Sequence, residues 1–95
     1  MRAPIRWPIG LYRVAGDSML PTYQPGDTLL GWRWFSPAPG QIVVVTRDRL
    51  LIKRIVKISG PHIFIEGDNS ASSTDSRHFG PVARRDVIAK IIGKL

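Results

Sequence analysis

Glycine and proline interrupt this chain so often that long regular elements have little room to form. There are 9 glycines and 8 prolines in 95 residues, a density that favours short strands joined by turns over long helices. Leu11–Val14 reads as a first strand and Asp27–Trp34 as a second. The β-branched run in Gln41–Thr46 reads as a strand buried on both faces. Leu50–Ser59 and His62–Glu66 follow as strands, split by Gly60-Pro61. Gly67–Gly80 is a long polar loop rich in Ser and Thr, of a length that suggests a function. Val87, Ile88, Ile91, Ile92 and Leu95 fit one helix face with Asp86 as its cap, while their β-branching fits a strand. On spacing alone the helix is preferred.

The length allows one domain with a modest core, residues 1–95, read as an N-terminal arm over 1–10 and a core over 11–95. There is no cysteine, which excludes disulfides, thiolate metal sites and a cysteine nucleophile. Two histidines, His62 and His78, are too few for an all-histidine metal centre. The net charge of +7 suggests an anionic partner, but no dense basic run exists, so a solvated basic surface is the better reading. The longest uncharged stretch, Trp34 to Thr46, is broken by Pro37, Pro39 and Gly40 and is too short to span a membrane. The first residues carry no secretory-type hydrophobic segment. The expectation is a soluble chain, cytoplasmic or held peripherally at a membrane. Trp7, Trp32, Trp34 and Phe35 suit either an apolar patch at a membrane surface or the core.

Three segments carry potential chemistry. In Gly16-Asp17-Ser18-Met19-Leu20-Pro21-Thr22 a serine follows a strand and sits where a rigid turn would expose it. An ordinary turn serine would look the same, and a nucleophilic serine needs a base. Neither histidine has an evident carboxylate partner. The strand Leu50–Ser59 offers Lys53, which shares a face with Leu51 and Ile55. Lysine can lose its proton when desolvated, and a usable base near neutral pH needs a depression of roughly 2–3 pH units. An edge-strand lysine reaching into water is the plainer alternative. In the third segment, Glu66 to Val82, the spacing of Asp68 and Asp75 is not that of a calcium loop, and Arg77 would compete for the carboxylates. A braced loop fits better. Asp75 and Arg77 can pair, Asn69 can bond the backbone, and a hydroxyl such as Ser73 can orient a neighbour.

Taken in order, the blocks Gly16–Thr22, Pro25-Gly26-Asp27, Pro39 to Val44, Ile52 to Val56 and Gly67–Val82 resemble the type I signal peptidase family of serine–lysine endopeptidases. The chain's shortness and the phrase Ser73 to Val82 look most like the maturation proteases of nickel-type superoxide dismutase. The resemblance implies Ser18 as nucleophile and Lys53 as general base. It implies Met19 and Pro21 as residues shaping the turn, and Ser73 as the hydroxyl that orients the lysine. Gly67, Asp68, Asn69, Asp75 and Arg77 would support the site. Where some relatives have serine at position 16 this chain has glycine, so the oxyanion hole would rest on backbone N–H groups around Gly16 and Ser18. The implied fold is all-β, a small, mostly antiparallel coiled sheet or partial barrel, with a strand over Ile88–Gly93. Membrane spans and a large extra β-domain, usual in the family, are missing from this sequence, which reads as a stripped catalytic core. The implied partner is a precursor protein bound as an extended strand, with no metal or cofactor and no nucleic acid. A catalytically inactive relative acting as a binding module, and a basic nucleic-acid-binding β-barrel, are the alternatives.

Overall fold

The computed structural model describes residues 7–95. Six strands, β1 (Ile9–Arg13), β2 (Thr28–Trp32), β3 (Ile42–Thr46), β4 (Leu50–Ser59), β5 (His62–Glu66) and β6 (Val87–Lys94), form one sheet in the order β1-β2-β6-β3-β4-β5. Every pairing is antiparallel. The sheet is open, with β1 and β5 at its edges, and a bridge between Ile63 and Val82 covers part of the β5 edge. One short helix, α1 (Ser76–Phe79), and two 3₁₀ turns, Ser70–Ser72 and Arg84–Asp86, are the only helical pieces among the described residues. The first strand starts at Ile9, so the last two residues of the expected N-terminal arm belong to the sheet.

Because β3 lies inside the sheet, its apolar run is buried on both sides. Val43 and Val45 join Ile55, Ile63, Ile65, Val82 and Val87 on one face. Val44 joins Tyr12, Val14, Leu29, Ala89 and Ile91 on the other. Each face therefore has its own small core, and the unbroken β-branched pattern of β3 follows from that.

The final segment is a strand, as the family resemblance implied and against its helical spacing. It pairs with β2 on one side and β3 on the other. The register explains the misleading period. Val45 faces Val87 and Val44 faces Ala89, which leaves Ile88 as an extra residue. Gly31 faces Ile91 and Leu30 faces Gly93, which leaves Ile92 as another. Two bulges four residues apart break the two-residue alternation and imitate a helical repeat. Each bulge also increases local twist, which lets so small a sheet coil.

The aromatic residues divide. Trp7 and Trp34 are 77% and 63% exposed. Trp32 is half-buried and meets Trp34 edge to face at 5.9 Å. Phe35 packs on the Val43 core with the Arg84 guanidinium 4.9 Å from its ring centre.

Tyr12 covers a cross-strand pair of glycines, Gly10 opposite Gly31. A Cβ on Gly31 would sit 2.5 Å from the Tyr12 ring and 3.2 Å from Ala89 Cβ. Gly31→Ala should therefore displace the buried ring and lower stability by about 1–3 kcal/mol. Urea unfolding of the variant beside the wild type checks this, and an unchanged midpoint would show that the ring moves freely.

Candidate active site

Lys53 leaves β4 on the face of the Val43 core, directly across from Val43 and beside Ile55, and it is 4% exposed. A lysine among β-branched side chains loses hydration that its charged form needs. Burial is the largest influence on its amine and lowers its pKa. Asp75 opposes this, while Arg49 and Arg77 push it further down by repulsion.

The amine has a defined partner. Lys53 Nζ donates to Ser73 Oγ at 2.9 Å. The same oxygen accepts the Gly67 N–H at 3.1 Å, and its own proton goes to Asp75 Oδ2. Ser73 thus shows the lysine only a lone pair. Asp75 has no solvent exposure, and its carboxylate accepts from the Ser73 hydroxyl, Gly67 N–H at 2.9 Å, Arg77 Nε at 2.9 Å and Arg77 Nη2 at 2.6 Å. Desolvation alone would raise the Asp75 pKa. The bonds from Arg77, Ser73 and Gly67 outweigh it and hold the carboxyl well below the usual range. Asp75 also caps α1, accepting from Arg77 N–H, while His78 Nδ1 accepts from the Asp75 N–H at 3.2 Å. His78 therefore does have a carboxylate near it, at 3.8 Å, but that nitrogen is occupied as an acceptor.

Ser18 comes to this place on a turn tied to the loop. Asn69 N–H donates to Ser18 O at 2.8 Å and Asn69 Nδ2 donates to Asp17 O at 3.1 Å. Met19 anchors the turn at 1% exposure, and its carbonyl accepts from Tyr23 N–H. Pro21 follows in the same turn after a cis peptide bond. Gly67 must be glycine, because a Cβ there would overlap Ser73 Oγ and come within 2.6 Å of Ser18 O. Gly16 lies just upstream at φ +76°, in the left-handed region, with open space where a side chain would project.

Ser18 and Lys53 line one cleft of about 230 Å³, together with residues 13–17, Met19, 49–52, Ser72 and Thr74. The amine's hydrogen bond goes to Ser73, and none joins it to the Ser18 hydroxyl among the described residues. The two groups share the cleft without being bonded, an arrangement in which catalytic contacts commonly close only around substrate.

Two further residues, not among the expected site residues, brace the site. Arg54, next to Lys53 but on the opposite face, binds Asp68 through Nε at 2.9 Å and Nη2 at 2.8 Å, and reaches Gly40 O with Nη1. Thr22 Oγ1 donates at 2.6 Å to Asp68 Oδ2, the oxygen that also accepts from Arg54 Nη2. The Arg54 and Thr22 bonds together lower the Asp68 pKa. The available signal was a second basic residue inside an apolar strand. Thr22 had none beyond its proximity to Ser18. Both loop carboxylates are thus engaged by arginine.

Asp75 predicts an acid-sensitive fold. Its folded pKa is depressed, so its contribution is present above the unfolded value of about 3.9 and is lost as pH falls below that. Asp75→Asn should cost roughly 2–3 kcal/mol at pH 7, because the amide cannot accept all of these bonds. It should also reduce the stability difference between pH 7 and pH 3, with Asp68 supplying the remainder. Urea midpoints at the two pH values measure both effects.

The sequence model of the Peptidase S24-like family matches residues 8–95. The Arabidopsis thaliana mitochondrial ATP-independent inner membrane protease subunit 1a is 35% identical over 108 aligned positions, covering 81% of this chain and 64% of that protein. The signal peptidase complex catalytic subunit SEC11 of Metarhizium robertsii is 33% identical over 84% of this chain and 54% of its own length. The Xenopus tropicalis mitochondrial inner membrane protease subunit 1 is 42% identical over 45% of this chain and 26% of its own length. The chain thus spans less than two thirds of each of these relatives. A match that begins before β1 and continues through β6, over a sheet that carries the expected strands in order, establishes that the chain belongs to the Peptidase S24-like family.

Proposed function

We propose that the protein is a serine endopeptidase that uses Ser18 and Lys53 to remove an N-terminal signal or pro-segment from a precursor protein. The observation that carries this reading is the buried lysine, 4% exposed, opening onto the same cleft as Ser18. A lysine in that setting is expensive to keep charged, and once neutral it has a lone pair to offer. One N–H of the neutral amine satisfies the Ser73 lone pair, which leaves the nitrogen's own lone pair free to turn to Ser18.

In the proposed reaction Lys53 takes the Ser18 proton as Oγ attacks a substrate carbonyl. The oxyanion is met by backbone N–H groups of the Gly16–Ser18 turn. Lys53 then gives that proton to the leaving amine, and an acyl-enzyme remains on Ser18. Water, deprotonated by the same amine, hydrolyses the ester and restores the serine. The edge strand β1 runs directly into the Ser18 segment and offers backbone groups with which an extended substrate can pair. The names of the relatives, an inner membrane protease subunit and a signal peptidase catalytic subunit, support a precursor as substrate. The phrase Ser73 to Val82 directs the search for that precursor to nickel-type superoxide dismutase. The exposed Trp7 and Trp34 suit peripheral contact with a membrane surface, and no helix among the described residues is long and apolar enough to cross one.

Ser18→Ala and Lys53→Arg should each reduce precursor cleavage by roughly 10³-fold or more while circular dichroism shows the fold intact. Arginine keeps the positive charge but cannot act as a base. Robust cleavage by either purified variant would overturn the dyad, and cleavage by neither the variants nor the wild type would favour a binding module.

The pH profile provides a separate check. Burial, with repulsion from Arg49 and Arg77, lowers the lysine pKa, and the active form is the deprotonated one. Activity should therefore rise with pH on a limb whose midpoint lies below the free-lysine value of about 10.4. Single-turnover rates across pH 6–10 measure it, and a flat profile would exclude Lys53 as the base.

A further inference from the structure

The geometry points to a preference for substrates that carry an acidic side chain close to the scissile bond, read by Arg13 and Arg49. This rests on the proposed peptidase reading and adds a substrate class to it.

Half of the eight arginines among the described residues are occupied. Arg54 and Arg77 bind carboxylates, Arg84 binds the carbonyls of Phe35 and Val87, and Arg47 lies 3.8 Å above the Phe79 ring. Arg33 and Arg85 flank a different hollow beside Trp34. Arg13 and Arg49 are exposed, line the Ser18–Lys53 cleft, and have no hydrogen-bond or ion-pair partner for their guanidinium groups among the described residues. They reach it from different elements, Arg13 from the end of β1 and Arg49 from the residue preceding β4. Among the described residues, the only acidic one lining the cleft is Asp17. With Lys53 neutral in the working state, the cleft retains two unpaired cations against one carboxylate.

Unpaired guanidinium groups in a concave site favour a carboxylate that can accept their paired donors. Arg49 lies four residues before Lys53, and a strand rises about 3.3 Å per residue, so the recognised side chain belongs about two to four residues from the bond that is cut. Arg49 also bears on Lys53 itself, helping to depress its pKa. That influence acts on every substrate alike and cancels when two peptides are compared on the same enzyme.

The test uses quenched-fluorescence peptides built on one cleavable sequence, with Glu, Gln or Lys placed in turn at each of the four positions on either side of the bond. At one or two positions Glu should exceed Gln in kcat/KM by about fivefold to tenfold, and Lys should fall below Gln. Raising the ionic strength to about 0.5 M should shrink the difference. In Arg13→Gln or Arg49→Gln the Glu-to-Gln ratio should fall towards one, and Arg49→Glu should shift the preference towards Lys. Equal rates for Glu and Gln at every position would overturn the inference while leaving the peptidase intact. So would a Glu preference that survives both arginine substitutions. If the wild type cleaves no peptide, fluorescence anisotropy of the same peptides on Ser18→Ala decides. Tighter binding of a Glu peptide than of its Gln counterpart supports acid recognition without the proposed chemistry, and equal binding overturns it.

Discussion

The carboxylate of Asp75 has no contact with water, and everything in the site depends on how that charge is satisfied. An isolated buried carboxylate would cost several kcal/mol, so it must be met by donors on all sides. Arg77 supplies charge, Gly67 a backbone N–H, and Ser73 a hydroxyl. These partners come from the end of β5, the loop and the start of α1. Satisfying one charge therefore fixes the course of the chain from Gly67 to Arg77. It also fixes the direction of the Ser73 proton, which in turn fixes what Lys53 encounters.

The adjacent pair Lys53 and Arg54 extends this control to both faces of β4. Alternation sends the two cations in opposite directions. Lys53 goes into the apolar face and ends at Ser73. Arg54 goes to the other face and ends at Asp68, whose Oδ2 also accepts from Thr22. One strand thus holds the loop through Ser73 and again through Asp68. Asp68 in turn holds the segment that follows Ser18. The 3.6-residue logic of a helix could not place neighbouring residues back to back in this way, which is a physical reason for such a pair to sit on a strand.

Much of this was legible in the sequence because it was local. The turn residues, the β-branched run of β3 and the exact span of β4 followed from composition and alternation. The pairing of Asp75 with Arg77 and the backbone bond from Asn69 required only short spacings and the known bonding habits of those side chains. What could not be read was long-range register. The extra residues Ile88 and Ile92 exist only relative to partners on β3 and β2, so spacing within β6 gave a helical answer. The reach of Thr22 to Asp68 spans 46 positions and left no local trace. The necessity of Gly67 is likewise set by Ser73 and by the distant Ser18 carbonyl, not by its own φ. The family resemblance supplied the final strand where periodicity could not.

The placement of Ser73 between Lys53 and Asp75 has an electrostatic consequence. A lysine bonded directly to a buried carboxylate would be held in its charged form, since the opposite charge would compensate the loss of hydration. Here the carboxylate spends its acceptors on Arg77, Gly67 and Ser73, and the amine meets a neutral oxygen instead. Asp75 still raises the lysine pKa from a distance, but Arg77, which neutralises that carboxylate, and Arg49 both act the other way, and burial exceeds all three. The hydroxyl therefore works as a spacer. It transmits the orientation imposed by Asp75 without transmitting a full ion pair, so the lysine is held in place while its pKa stays lowered.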